Sequence, residues 1–148
     1  FAARGHPVIG VDRDGEALAS VQGVGELIEA DIETGPWPLA GRRFGAVVVT
    51  NYLWRPLLPT VVASVAAGGV LIYETFALGN ASVGKPANPD FLLRPGELLH
   101  ACAALHVVAY EDGFLADPAR FVQRIAAVRL ADGEPGANPP PRYLLAAG

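Results

Sequence analysis

The chain has no methionine, a single cysteine and a charged fraction of only 18% among its 148 residues. Each shortage excludes something. One thiol, Cys102, rules out an intramolecular disulfide and a cysteine-based zinc cage. It falls among apolar residues at helical spacing, so it reads as a buried structural thiol rather than a nucleophile. Basic clusters are scarce: Arg42-Arg43 is the only adjacent pair and the net charge is −4, which argues against a nucleic-acid footprint. No metal-ligand cluster and no nucleophilic triad stands out. Unbroken apolar runs are also short. Pro56 to Tyr73 carries no charge over 18 residues, near the length of a spanning helix. Pro56, Pro59 and Gly68-Gly69 interrupt it, and a helix, a turn and a buried strand are the better reading. With no signal peptide in view, the chain reads as cytoplasmic and not membrane-bound.

What is present suits one folded domain, since 51% of the residues are apolar. Val8 to Val11 is a short buried strand ending in Asp12, and a helix from Gly15 to Val21 follows it. Glu26 to Asp31 is a second strand, again ending in an acid. Phe44 to Thr50 is a continuous apolar run before Asn51, the pattern of an inner parallel strand covered on both faces. A helix is predicted from Leu57 to Ala67, with Val61, Val62, Val65 and Ala66 inward and Gly68-Gly69 as its stop. Val70 to Thr75 is the next strand. This alternation predicts an α/β fold, a Rossmann-like and mostly parallel sheet with helices on both faces. Right-handed crossovers then bring Asp12, Asp31, Asn51 and Glu74-Thr75 to one rim, where open α/β sheets bind ligands.

Phe76 to Arg94 is a long irregular stretch of the kind that forms functional lids, and its Phe91-Leu92-Leu93 cluster suggests packing. Pro95 is placed at the first position of a helix reaching Ala104, with Leu98, Leu99, Cys102 and Leu105 as its core stripe. Leu105 to Tyr110 and Phe121 to Leu130 are strand-like. The connection through Glu111-Asp112-Gly113 and Ala116-Asp117-Pro118 is too short for a crossover, so the pair is predicted to be an antiparallel C-terminal hairpin. Residues 1–130 form the expected domain and 131–148 a Pro/Gly-rich tail. His6, His100 and His106 fall away from the rim and read as structural.

Several segments resemble class I S-adenosylmethionine-dependent methyltransferases, whose seven strands run in the order 3-2-1-4-5-7-6. Val8-Ile9-Gly10-Val11-Asp12 resembles the family's second strand with its ribose-binding acid, Arg13 standing beside it. Glu29-Ala30-Asp31-Ile32 resembles the segment that meets adenine, through the Asp31 side chain and the Ile32 backbone N–H. Val47 to Leu53 resembles the fourth strand and the loop beside the methyl donor, which makes Asn51 and Tyr52 cofactor contacts. Gly68 to Glu74 is similar to the glycine turn and fifth strand. Asn51 to Leu57 and Gly84 to Pro89 look like a bacterial subgroup near the tellurite-resistance-type methyltransferases. Asn88-Pro89-Asp90-Phe91 resembles the Asn-Pro-Pro-Tyr motif of adenine-methylating enzymes, but it follows the fifth strand rather than the fourth and is not taken as a nucleobase site.

The resemblance implies transfer of a methyl group (EC 2.1.1) to a small-molecule acceptor by a monomer or homodimer, with S-adenosyl-L-methionine as cofactor and no metal. The family's first strand and glycine-rich loop have no counterpart here and are expected to precede Phe1. Methyl transfer from a sulfonium is an in-line displacement in which positioning supplies about 7–11 kcal/mol of the barrier reduction, so no obligatory catalytic residue is expected. For a hydroxyl or amine acceptor, Tyr52 and Glu74 are the candidate general bases. Arg55 and Lys85 are the candidate contacts to an anionic substrate, and Tyr52 and Trp54 could cap a ring. Asp12 suits an NAD(P)-linked Rossmann oxidoreductase equally well, and a non-catalytic cofactor-binding remnant is the third reading.

Overall fold

The computed structural model describes residues 1–21, 23–131 and 142–143, so most of the expected tail lies outside the described residues. The chain divides into two compact units, Phe1–Arg42 and Arg43–Gly148.

In the first unit, β1 (Ile9–Asp12) and β2 (Glu26–Glu29) pair in parallel, with Asp12 opposite Glu29. Between them lies the short helix α1 (Gly15–Ala19), capped by Asp14, whose Oδ1 accepts from the Glu16 N–H at 2.9 Å and the Ala17 N–H at 3.1 Å. The helix ends at Ala19, short of the expected Val21. The Ser20 hydroxyl bonds back to the Ala17 carbonyl at 2.6 Å, taking up a backbone group that continued helix would use. β2 stops at Glu29 rather than Asp31, because the Asp31 carboxylate captures the N–H groups of Glu33 and Thr34 and turns the chain.

The second unit holds β3 (Phe44–Thr50), α2 (Leu58–Ala63), β4 (Val65–Phe76), α3 (Glu97–Ala101), β5 (His106–Ala116) and β6 (Ala119–Val128). Its sheet runs β3-β4-β6-β5; β3 and β4 are parallel and the other pairs antiparallel. With the first family strand left out, 3-2-1-4-5-7-6 becomes one pair and one four-stranded sheet, in the neighbour orders β2-β1 and β3-β4-β6-β5. Both are observed.

Several boundaries in this unit differ from expectation; α3, for one, ends at Ala101 rather than Ala104. The helix predicted to Ala67 stops at Ala63. Ser64 N–H and Oγ bond back to Thr60 and Val61, while the Arg129 guanidinium takes the carbonyls of Val62 and Val65 at 2.8 Å each. Val65 thus belongs to β4, and Gly68-Gly69 forms an irregularity inside the strand: β4 advances from Val65 to Val70 while β3 advances only from Phe44 to Ala46. A Cβ on Gly69 would lie 2.8 Å from the Phe44 carbonyl oxygen and 2.9 Å from that of Ala66, so no larger residue fits. Pro95 precedes α3 instead of opening it. Gly96 is the N-cap at φ 72°, its N–H held by Asp112 Oδ2 at 3.2 Å, and Leu99 faces outward. Glu111-Asp112-Gly113 lies within β5, and the hairpin turns at Asp117-Pro118. Cross-strand pairs extend both strands, among them Phe114 with Phe121 (ring centroids 4.9 Å apart) and Glu111 with Arg124.

One face of this sheet is covered. Leu71, Tyr73 and Thr75 of β4 and Gln123, Ile125 and Ala127 of β6 are buried beneath α2 and α3, which supply Val61, Val62 and Leu98, with Cys102 following at the end of α3. On the opposite face Val48 and the Ile72 it pairs with are 47% and 41% exposed. Among the described residues of this unit, helices cover one face of the sheet. The stretch after β4 is a closed excursion, not a free loop. Ala77 bridges Leu93, the Leu78 N–H donates to the Leu93 carbonyl, and the Leu93 N–H donates to that of Phe76, both at 2.9 Å.

Candidate functional site

In the first unit, parallel pairing puts Asp12 and Asp31 at the same, carboxyl edge of β1 and β2. Asp12 is exposed, and its Oδ1 accepts from the Asp14 N–H at 2.9 Å. Among the described residues, Oδ2 has no partner. Asp31 is engaged on both oxygens: Oδ1 by the N–H groups of Glu33 and Thr34, Oδ2 by the Thr34 hydroxyl at 2.7 Å. The Thr34 hydroxyl first, then the two N–H groups and the nearby Arg13 charge, hold its carboxyl below the usual aspartate value. Each carboxylate oxygen has a second lone pair, so Asp31 can still accept one further donor. Ile32 follows directly, half-buried.

In the second unit, β3 ends at Asn51, the one non-glycine residue at positive φ (53°) among the described residues. Its N–H donates to the Glu74 carbonyl at 2.9 Å, fastening the start of the following segment to β4. Tyr52 and Trp54 are half-buried and Leu53 is buried. The Tyr73 hydroxyl reaches from the covered face to donate to the Tyr52 carbonyl at 2.8 Å, and burial first of all pushes the Tyr73 phenol well above its ordinary value.

The remaining expected site residues differ in how committed they are. Glu74 lies between two guanidinium groups, 2.6 Å from Arg124 Nε and 3.4 Å from Arg120 Nη2, so both carboxylate oxygens face a cation. Arg55 is turned inward. Its guanidinium grips Glu97 through Nε at 2.6 Å and Nη2 at 3.0 Å, and donates to the carbonyls of Asp90 (2.6 Å) and Leu92 (2.9 Å). Four of its five N–H groups are thereby engaged within the chain. Lys85 is exposed on the excursion after β4. Of the expected structural histidines, His6 packs edge-on to Phe1 and His106 lies 5.4 Å from the Tyr143 ring.

Sequence reasoning missed the residues that organise this region. Gln123 is fully buried, accepting from the Leu98 N–H at 3.1 Å and donating to the Arg94 carbonyl at 2.6 Å. Asn80, also buried, donates to the Pro86 carbonyl and accepts from the Phe121 N–H. Gln123 did leave a signal: a neutral polar residue at an inward position of an otherwise apolar strand needs partners. Asn80, inside an irregular stretch, left none. Among the described residues, no group of three or more His, Cys, Asp or Glu could hold a metal, and no helix is long and apolar enough to cross a membrane.

No family model and no curated protein matches the chain. Solved structures do. TehB from Haemophilus influenzae is similar at 15% identity and a TM-score of 0.66, over 86% of this chain and 51% of that one. The glycopeptide N-methyltransferase MtfA, in complex with S-adenosyl-L-methionine, is similar at 16% identity and a TM-score of 0.54, over 86% and 79%. The 16S rRNA (adenine(1408)-N(1))-methyltransferase from Catenulisporales acidiphilia is similar at 19% and 0.53, over 83% and 73%. The fold is the Rossmann-like fold of class I methyltransferases, ending in their antiparallel hairpin. The chain spans about half the length of the TehB structure.

Proposed function

We propose that the protein carrying this chain is a cytoplasmic S-adenosylmethionine-dependent methyltransferase acting on a small molecule. The observation that carries the reading is the pair of neighbour orders β2-β1 and β3-β4-β6-β5, with the closing antiparallel hairpin. That hairpin also favours methyl transfer over a nicotinamide-linked reaction, since nicotinamide-binding Rossmann sheets are typically parallel throughout.

Residues of each unit, taken by itself, support this reading. Asp12 presents an exposed carboxylate with an open oxygen at the end of β1, suited to ribose hydroxyls. Asp31 retains one acceptor position for an exocyclic amine, with the Ile32 N–H following in the chain. In the second unit, Asn51 and Tyr52 begin the segment after β3, held in place by Glu74 and Tyr73. When bound, the cofactor would supply an electrophilic methyl group; Asp12, Asp31, Ile32, Asn51 and Tyr52 would hold and orient the cofactor. Glu74 is poorly suited to act as a base, because two guanidinium groups already face its carboxylate. A small-molecule acceptor is favoured over a nucleic acid by the net charge of −4.

Calorimetric titration of the full-length protein with S-adenosylhomocysteine tests the reading. Binding is expected, weakened about 10–100-fold by Asp12→Ala, the loss of a hydrogen bond to a charged group. Absence of binding at high micromolar ligand, or binding of NADH in its place, overturns it.

A further inference from the structure

We propose that Arg55 is a positioning residue that couples the segment Asn51–Trp54 to the closed excursion Ala77–Leu93, so that the two stiffen and loosen together. The functional side of the inference rests on reading Asn51 and Tyr52 as cofactor contacts; the coupling itself does not.

Beyond the Asn51 N–H bond to the Glu74 carbonyl, the segment after β3 is held at Tyr52 and at Arg55. At Tyr52 the holding bond comes from the Tyr73 hydroxyl, and at Arg55 it is the four-bond grip on Glu97, Asp90 and Leu92. Leu53, between the two points, is 3% exposed. Asp90 and Leu92 belong to the closing arm of the excursion, whose ends are joined at Ala77 and Leu93. Glu97 is oriented from its other side by the Arg94 N–H at 2.8 Å, and the Arg94 carbonyl is in turn held by buried Gln123 on β6. From Arg55 a polar path runs through Glu97 and Arg94 to Gln123, and the backbone between Tyr52 and Arg55 joins it to the Tyr73 bond.

Arginine is required at the centre. Its planar fork serves a carboxylate and two carbonyls at once, which a lysine ammonium cannot do in this geometry. The pair is sheltered, with side-chain exposures of 31% for Arg55 and 19% for Glu97, so salt screens it less than a surface pair. Movement of the 51–54 segment must then drag Asp90 and Leu92 or break the pair. A guanidinium waiting for an anionic substrate would instead keep its donors open.

Hydrogen exchange read by mass spectrometry on the full-length protein tests this with Arg55→Lys and Glu97→Gln. In ligand-free protein, both variants are expected to raise exchange at least fivefold in 51–54 and in 77–93, leaving β6 as in the wild type. With saturating S-adenosylhomocysteine, wild-type protection is expected in both segments, and in Arg55→Lys in 51–54 alone. Unchanged exchange in 77–93, or a rise that includes β6 in both variants, overturns the coupling. Failure of the wild type to bind S-adenosylhomocysteine overturns the proposed function, while the ligand-free comparison still decides the coupling.

Discussion

Asn51 holds φ at 53°, a left-handed conformation that Asn tolerates better than other side chains and glycine adopts freely. A β-branched residue there pays the steric cost. Asn51→Val is expected to lower unfolding free energy by about 1–2 kcal/mol in urea titrations, and Asn51→Gly to leave it nearly unchanged. If the Asn51 side chain contacts the cofactor, Asn51→Gly loses affinity without losing stability, which separates backbone need from ligand contact. Cys102 makes the opposite point, since burial pushes its thiol up to about 11. In native protein at pH 8 it should resist a disulfide reagent and react only as fast as the chain opens, readable as coloured thiolate release.

Elements end where side chains intercept backbone groups. Ser20, Asp31, Ser64 and Arg129 each take a carbonyl or N–H that continued regular structure would have used. This is why hydrophobic periodicity located most elements and misplaced their ends. The helix stop assigned to Gly68-Gly69 was instead made by Ser64 and Arg129, the latter 65 positions beyond Ser64 in the chain. Two substitutions test the element-level account. Gly69→Ala must push a methyl group into two carbonyl oxygens and should destabilise the β3–β4 pair, seen as a lower melting temperature. Gln123→Leu leaves the Leu98 N–H and the Arg94 carbonyl without their partner, at a cost of about 1–3 kcal/mol for each buried group.

For the molecule as a whole, Glu97 contributes to the acid response alongside Asp31, whose carboxyl is also held low. Burial raises the Glu97 carboxyl, but the Arg55 hydrogen bonds, the Arg94 N–H and the two arginine charges outweigh it, leaving the folded value below the ordinary 4.5. A depressed folded value means stability that is fully present above the unfolded value and lost as pH falls through the folded one. Thermal melts from pH 7 down to pH 3 should therefore show the wild type losing more stability than Glu97→Gln below about pH 4.5, with Glu97→Gln the less stable at pH 7. Equal acid sensitivity of the two proteins would remove Glu97 from this role.

While the strand order came from the family resemblance, most strands, the closing hairpin and the acids at the strand ends were legible in the sequence, because apolar runs and short connections restrict how a chain can build a sheet. So was Asp12, an acid at a strand end whose one open oxygen depends on little beyond its own turn. What only the tertiary structure decided is the state of each polar group away from its neighbours in sequence. Arg55 is an expected substrate contact and Glu74 a candidate base, and only the structure shows Glu97, Asp90 and Leu92 around the first and Arg120 and Arg124 beside the second. Local pattern records where a backbone turns. It does not record which distant donor meets which acceptor, and that pairing determines which charges remain available to a ligand.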